Sequence, residues 1–224
     1  MFTRFAGFVI ISVIACPLPA QTPAAQIMEQ VLYFTSVSSP QGMQEVNNAL
    51  RAMAEVQVPQ MGEQSMTIRG TPPQIALAEW LFNQLDKPAA VQPAAPGTPS
   101  PRYDYTLPNG QTEPVSIFYF THPVNLQAIQ EAINTLRAVT EIGRSFPDIE
   151  QRAIVLRGSG PQMALCEWIF HQLDQPATAQ PAKVGTPPAK YEYSVANGKT
   201  EPVEVYRFTH RAQPRWNEVV RNCR

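Results

Sequence analysis

"RGTPPQIALAEWLFNQLD" (residues 69–86) returns later in the chain as "RGSGPQMALCEWIFHQLD" (residues 157–174). The two stretches are 157 − 69 = 88 residues apart, and 12 of their 18 positions are identical. Each stretch predicts one helix. Thr71 suits the N-cap and Gln74 stands three residues later, as a capping box requires, and the second copy has serine and glutamine at the same places. A helix repeated together with its start signal indicates a duplicated structural unit.

The repeated unit extends well beyond this helix. The first copy starts with the apolar run "VLYFTS" (31–36) and the second with "VSIFYFTH" (115–122), and such β-branched and aromatic runs are typical of strands. Apolar residues then recur at spacings of three and four, which predicts a helix in each copy, ended in the second by Gly143. A short strand follows, with a weakly marked strand before it. The order is strand–helix–(strand)–strand–helix, an α+β module with two helices on one face of a small sheet.

A second repeat precedes the second copy. "YDYTLPNGQTEPVSIFYFTH" (103–122) and "YEYSVANGKTEPVEVYRFTH" (191–210) are identical at 11 of 20 positions. Their Asn-Gly pairs, at 109–110 and 197–198, lie between alternating apolar residues and predict hairpin turns. The second module therefore has an extra strand before its first one.

The stretch from residue 191 starts a third copy that is not completed. "NEVVRNCR" (217–224) aligns with "QEAINTLR" (130–137), which predicts a helix with Cys223 at the core position held by Leu136. Half a module cannot close its own core. Two explanations stay open: the chain is a fragment or frameshifted product, which we favour, or the hairpin docks elsewhere.

The predicted domains are a module over 31–86, a module with its preceding strand over 103–174, and a truncated module over 191–224. Proline- and alanine-rich linkers join them at 87–102 and 175–190. Such linkers are semi-rigid and extended, so we expect them to hold the modules apart.

The N-terminus has the pattern of a targeting segment. Arg4 precedes an apolar run that is too short to span a bilayer comfortably, and small residues favour cleavage after Ala20, which makes residues 1–20 a signal peptide. Two alternatives stay open: a lipobox-like "VIAC" that would make Cys16 a lipidated N-terminus, and an uncleaved anchor. All three predict an exported protein, in the periplasm or associated with the outer membrane, and no other segment could span a membrane.

Composition excludes several classes of function. The chain has 224 residues and a net charge of −1, with no long run of either sign, so it has no electrostatic footprint for nucleic acid.

Cys166 replaces Ala78 of the first copy inside an apolar stripe, which predicts a small buried residue. The sequence contains no clustered metal ligands, P-loop or dinucleotide motif, so neither a metal nor a cofactor is predicted.

Four residues of the repeated helix are not explained by starting, capping or burying it: Glu79, Trp80, Glu167 and Trp168. The tryptophans lie between the buried and exposed faces, so they pack against the sheet or contact a neighbouring module or subunit. These four residues are the candidate interface.

Other repeated polar residues have structural explanations. Asp86 and Asp174 suit the end of a helix before a linker, and His122 suits a turn, with catalysis or metal binding as the weaker interpretation. The Arg-Gly pairs at 69–70 and 157–158 precede a helix N-terminus, where an anion can bind, but a strand-to-helix turn explains their glycines. No motif favours an enzyme.

The residues "MTIRGTPPQIALAEWLFNQLD" (66–86) and "IVLRGSGPQMALCEWIFHQLD" (154–174) resemble the small periplasmic N-domain repeats of bacterial secretins, in element order, in the "[I/L]RG" strand end and in the closing "QLD". The resemblance covers about half of the chain. It implies modules that pack into rings and contact secreted substrates or secretion machinery. The chain lacks the long C-terminal β-domain that forms the secretin channel, so only a scaffolding role is implied.

The sequence therefore predicts a non-enzymatic, exported repeat protein that mediates protein–protein contact or oligomeric assembly, as part of a secretion or outer-membrane complex. Modules this small are marginal alone, which favours packing against a neighbour. The alternative is a periplasmic ligand- or cell-wall-binding protein that uses a cleft between helix N-termini and sheet. An enzyme is third, and would need a cleft that brings His122 beside a carboxylate.

Overall fold

The computed structural model describes residues 26–87, 99–122, 124–175, 187–194 and 199–206, together with the backbone of 218–221. The predicted signal segment with Cys16, most of both linkers, the Asn-Gly turn at 197–198, and Cys223 lie outside the described residues. Within those ranges, no helix combines the length and apolar character needed to cross a bilayer.

The described residues form an α+β fold with three small antiparallel sheets. The helices are α1 (Pro40–Ala54), α2 (Pro72–Leu85), α3 (Leu126–Thr140) and α4 (Gly160–Leu173). The strands of the first and second sheets are β1 (Met28–Tyr33), β2 (Gln57–Met61), β3 (Ser65–Gly70), β4 (Arg102–Thr106), β5 (Thr112–Tyr119), β6 (Arg144–Asp148) and β7 (Ala153–Arg157). The strands of the third sheet are β8 (Ala189–Ser194), β9 (Thr200–Tyr206) and β10 (Glu218–Arg221).

The first sheet has the order β1-β3-β2, and α1 and α2 pack on one of its faces. Leu32, Met66 and Ile68 point towards the helices and are buried, because side chains alternate between the two faces of a strand. The weakly marked strand is β2, at the sheet edge. Its pairing with β3 shifts register between Gln57 and Gln60, next to Pro59, which has no N–H to donate and is tolerated at an edge.

The second sheet has the order β4-β5-β7-β6 and is buried on both faces. Every residue of β7 is buried. Ile154 and Leu156 pack with α3 and α4, whereas Ala153 and Val155 belong to the core formed with α1 and α2. The predicted hairpin at 109–110 is confirmed, with Gly110 at φ 82 in the turn between β4 and β5.

The modules thus form a continuous stack of five layers: first sheet, α1 and α2, second sheet, α3 and α4, third sheet. Each helix pair is buried between two sheets, because its own sheet covers one side and the sheet of the following module covers the other. The expectation that the linkers hold the modules apart is wrong, since the first and second modules share one core. Two helices covered on one side only would leave apolar residues in water, and the shared core removes that cost.

The third sheet, ordered β10-β9-β8, corrects the prediction for the end of the chain. Residues 218–221 form a strand and not the first half of a helix. Val203 of β9 pairs with Arg221, as Val115 of β5 pairs with Arg157, so β10 takes the place in the third sheet that β7 takes in the second. The edge of β9 offers backbone hydrogen bonds to this segment, and its two valines favour a strand.

The first helix of the second module ends before the residue that the glycine signal predicts. In the second module, α3 ends at Thr140, and Glu141 adopts the left-handed conformation at φ 56, so Gly143 is not the capping residue. Glu55 holds the same position in the first module, at φ 57. The apolar residue after each glutamate is buried under the helix, and this hydrophobic contact fixes where the chain turns.

Candidate functional site

The two tryptophans of the candidate interface contact the following module. Trp80 packs on Tyr103 of β4, with ring centroids 5.5 Å apart, and Trp168 packs on Tyr191 of β8 at 5.4 Å. All four rings are half-buried. The first strand of each hairpin therefore lies both at a sheet edge and against the preceding helix pair. Binding of a separate protein by these tryptophans stays a prediction.

The two glutamates beside them have different surroundings. Glu79 is half-buried and accepts a hydrogen bond from the side-chain amide of Gln30 on β1. Glu167 is exposed, and its Oε1 lies 4.0 Å from Nε2 of His171, one helical turn further on. An exposed pair of this kind contributes little to stability. The structure thus gives Glu79 a role inside its module and leaves Glu167 at the surface.

Asp86, the last residue of the first quoted stretch, joins the end of α2 to the loop that follows β1. Its Oδ2 accepts from the backbone N–H and the hydroxyl of Thr35, at 2.7 and 2.9 Å. Its Oδ1 accepts from the backbone N–H of Ser36 at 2.9 Å and of Val37 at 2.8 Å. Burial alone would raise the pKa of this carboxyl, but the hydrogen bonds outweigh burial and hold its pKa below the ordinary value. Asp86 closes its module.

Asp174 makes the equivalent contacts in the second module and brings His122 beside a carboxylate. Its Oδ2 accepts from the backbone N–H and the hydroxyl of Thr121, at 3.0 and 2.6 Å, and its Oδ1 lies 3.3 Å from His122 Nδ1. The Thr121 hydroxyl also lies 3.0 Å from this same Nδ1. In a catalytic triad the nucleophile and the acid contact opposite ring nitrogens, so Thr121 does not stand where a triad nucleophile would. The first module closes through Asp86 without a histidine, so this closure does not depend on His122.

Arg157 is the residue whose role the sequence reasoning missed. Its side chain is fully buried at the junction of the first two modules, where Nη1 donates to the carbonyl oxygen of Met53 at 2.5 Å, near the end of α1. The guanidinium also pairs with Glu55 at 3.2 Å and Glu113 at 2.8 Å, and lies over the ring of Tyr105, 4.4 Å from its centroid. It stabilises the C-terminus of a helix of one module from a strand of the next. The equivalent residue of the first module, Arg69, is exposed.

A second junction lies at the turn after β6. Glu45 of α1 accepts from the backbone N–H groups of Ile149 and Glu150, at 2.9 and 3.1 Å. Asp148 is buried beside them and accepts from the backbone N–H of Gln151 at 2.9 Å. Burial, with added repulsion from Glu45 and Glu150, raises the pKa of Asp148 to about 7. This junction therefore contains a carboxyl group that titrates near neutral pH.

The outer face of the first sheet carries exposed apolar residues at positions where the second module has buried ones. We define it by the outward side chains of β1 and β3: Glu29, Val31, Tyr33, Ser65, Thr67 and Arg69. Val31 and Tyr33 are 45% and 68% exposed, whereas their equivalents Ile117 and Tyr119 are 0% and 8% exposed under α1 and α2. The same kind of face is therefore covered in the second module and open to solvent in the first.

Other candidate chemistry has a structural place. Cys166 is a free, buried thiol, as predicted, and burial raises its pKa to about 11. Its Sγ lies 3.4 Å from the hydroxyl of Thr140. In the part of the chain that the structure describes, no three histidine, cysteine, aspartate or glutamate side chains are arranged to hold a metal ion.

Comparisons with known proteins give few matches. No protein-family profile matches the chain, and no curated protein matches it in sequence. Among solved structures, ExeD of Aeromonas hydrophila is similar at 13% sequence identity and a TM-score of 0.23, over 75% of this chain and 31% of that chain. At that TM-score the similarity defines neither the fold nor the function of this chain.

Proposed function

We propose that this chain is a non-enzymatic repeat protein of the bacterial envelope that mediates protein–protein contact or oligomeric assembly, in a protein-secretion or outer-membrane complex. Export to the periplasm or the outer membrane is supported by the targeting pattern of residues 1–20. The secretion setting is supported by the likeness of 66–86 and 154–174 to secretin N-domain repeats.

The observation that carries the proposal is the open outer face of the first sheet. Where this face recurs in the second module, it binds a helix pair and becomes fully buried. At the same positions in the first module, Val31 and Tyr33 expose apolar area to water. Binding of a partner would bury that area and lower the free energy.

The repeated polar residues support the non-enzymatic reading. Asp86 and Asp174 accept hydrogen bonds that close their modules, and Arg157 joins two modules. The ligand-binding alternative required a cleft between helix N-termini and sheet. Among the described residues, buried apolar side chains pack on both sides of each helix pair, which supports an interaction role rather than a ligand cavity.

The proposal is tested by photo-crosslinking in cells. A photoreactive amino acid at Tyr33 should give a discrete protein adduct in the envelope fraction. The same amino acid at Leu126, which is 57% exposed on the first turn of α3, serves as the matched control and should give none. A chain that stays in the cytoplasm, or that gives no adduct at Tyr33, would contradict the proposal.

A further inference from the structure

The outer face of the first sheet is complementary to itself. Its residues form cross-strand pairs in the antiparallel register of β1 and β3: Glu29 with Arg69, Val31 with Thr67, and Tyr33 with Ser65. In each pair, β1 provides an acid or a large apolar side chain, and β3 provides a base or a small hydroxyl side chain. The large apolar side chains therefore lie in one row and the small ones in the neighbouring row.

We propose that this face binds the same face of a second copy of the chain, about a two-fold axis that runs parallel to the strands between β1 and β3. The inference rests on the proposed function, because it names one partner for the contact surface. A rotation about this axis places each β1 over the β3 of the second copy and keeps positions along the strand. Tyr33 then lies over the second copy's Ser65, Val31 over its Thr67, and Glu29 over its Arg69.

In this arrangement large side chains face small ones, and acidic side chains face basic ones. Two aligned sheets pack about 10 Å apart, with the side chains of their facing surfaces interdigitating. A row of large side chains opposite a row of small ones fills that space, whereas two rows of large ones would collide. The contact between Glu29 and Arg69 occurs twice, once on each side of the axis, as a two-fold interface requires.

The layer order of the stack explains why a second copy would offer a sheet and not a helix pair. In each chain, α1 and α2 lie between the first and second sheets, and α3 and α4 lie between the second and third. Both helix pairs are therefore already covered. Exposed apolar side chains, by contrast, lie on the outer face of the first sheet: Val31 is 45% exposed and Tyr33 is 68% exposed.

Sedimentation velocity of the full chain tests the pairing. The wild-type chain should pass from the mass of one copy to the mass of two as its concentration rises. Tyr33→Glu should stay at the mass of one copy, and the control Leu126→Glu should behave as wild type. Equal thermal unfolding of the two variants at low concentration verifies that both fold. A wild-type chain that remains a single copy at every concentration overturns the inference.

A charge exchange tests the orientation. Glu29→Arg puts two bases on the face and Arg69→Glu puts two acids there, so each variant alone should lose pairing. An equimolar mixture at low ionic strength should regain it, because each base of one chain then meets an acid of the other. A mixture that pairs no better than its components overturns the two-fold arrangement. If the wild type does not pair but Tyr33 still crosslinks to a different envelope protein, self-pairing fails and the proposed function stands.

Discussion

At the scale of single residues, the carboxylates have opposite relations to their surroundings. Asp86 is stabilised as an anion by the backbone N–H groups of Thr35, Ser36 and Val37. Asp148 is buried next to the carboxylate of Glu45, which raises its pKa and favours its protonated, uncharged form. The first arrangement closes one module, and the second lies between two modules. The two groups therefore affect stability in different pH ranges.

The raised pKa of Asp148 predicts that the protein loses stability as pH rises towards neutrality. Its folded pKa, about 7, lies above the ordinary value of 3.8, so the folded state holds a proton that the unfolded state has lost between these values. The stabilisation is complete below the ordinary pKa and is lost as pH rises through the folded pKa, a change of about 2 to 4 kcal/mol. Urea unfolding at a series of pH values between these limits measures it.

Asp148→Asn should remove most of this slope, because the amide does not ionise. The exposed Asp104 is the control position, and Asp104→Asn should leave the slope in place. An unchanged slope in Asp148→Asn would assign the pH dependence to other groups. Asp86 has the opposite sign: its lowered pKa gives stability that is present above the ordinary pKa and lost as pH falls through the folded value.

At the scale of elements, β3 and β7 are equivalent strands of the two modules, and their surroundings differ. β3 reads "SMTIRG" and alternates polar with apolar residues, whereas β7 reads "AIVLR" and is apolar without interruption until its arginine. An alternating strand is typical of one buried face and a continuous apolar run of two. The difference was present in the sequence and could have predicted that the second sheet is covered on both sides.

The arginine at the end of these strands provides a matched pair for mutation. Arg157→Leu should lower the free energy of unfolding by about 2 to 3 kcal/mol, because the Met53 carbonyl loses its donor and two carboxylates lose their partner. Both carboxylates are partly exposed and regain water, which places the loss at the lower end for a buried pair. Arg69→Leu should change it by less than about 0.5 kcal/mol. Chemical denaturation at low protein concentration compares them, and equal losses would refute the junction role of Arg157.

Much of each element was predictable, and the contacts between elements were less so. The capping boxes, the helix pairs and the hairpin at 109–110 follow from local patterns, which act over a few residues. The position of Arg157 depends on a helix 102 residues earlier, at Glu55, and no local pattern encodes that distance. The helix predicted from the alignment of 217–224 with α3 is wrong, because residues 218–221 pair with the edge of β9, a contact that the alignment does not encode.

At the scale of the whole molecule, the shared core predicts that the first two modules unfold together. Ile117 is fully buried on the face of the second sheet that packs on α1 and α2. Ile117→Asp places a charge in this core, a change that costs several kcal/mol. Hydrogen exchange should then lose protection in all four helices. Val31→Asp, at the equivalent but exposed position, should leave protection intact, and loss confined to α3 and α4 would contradict a shared core.

The place of β4 and β8 has a consequence for how such a chain can lengthen. The strand that begins each later copy also covers the helices of the copy before it, through Tyr103 on Trp80 and Tyr191 on Trp168. The repeated sequence unit therefore does not coincide with one packed unit, because the first strand of each copy packs on the helices of the copy before it. Consider an in-frame insertion of one more 88-residue unit (191 − 103). Its hairpin would cover the helix pair of the preceding copy, and the hairpin of the following copy would cover its own helix pair. Growth by gene duplication would therefore leave the first and last layers of the stack unchanged.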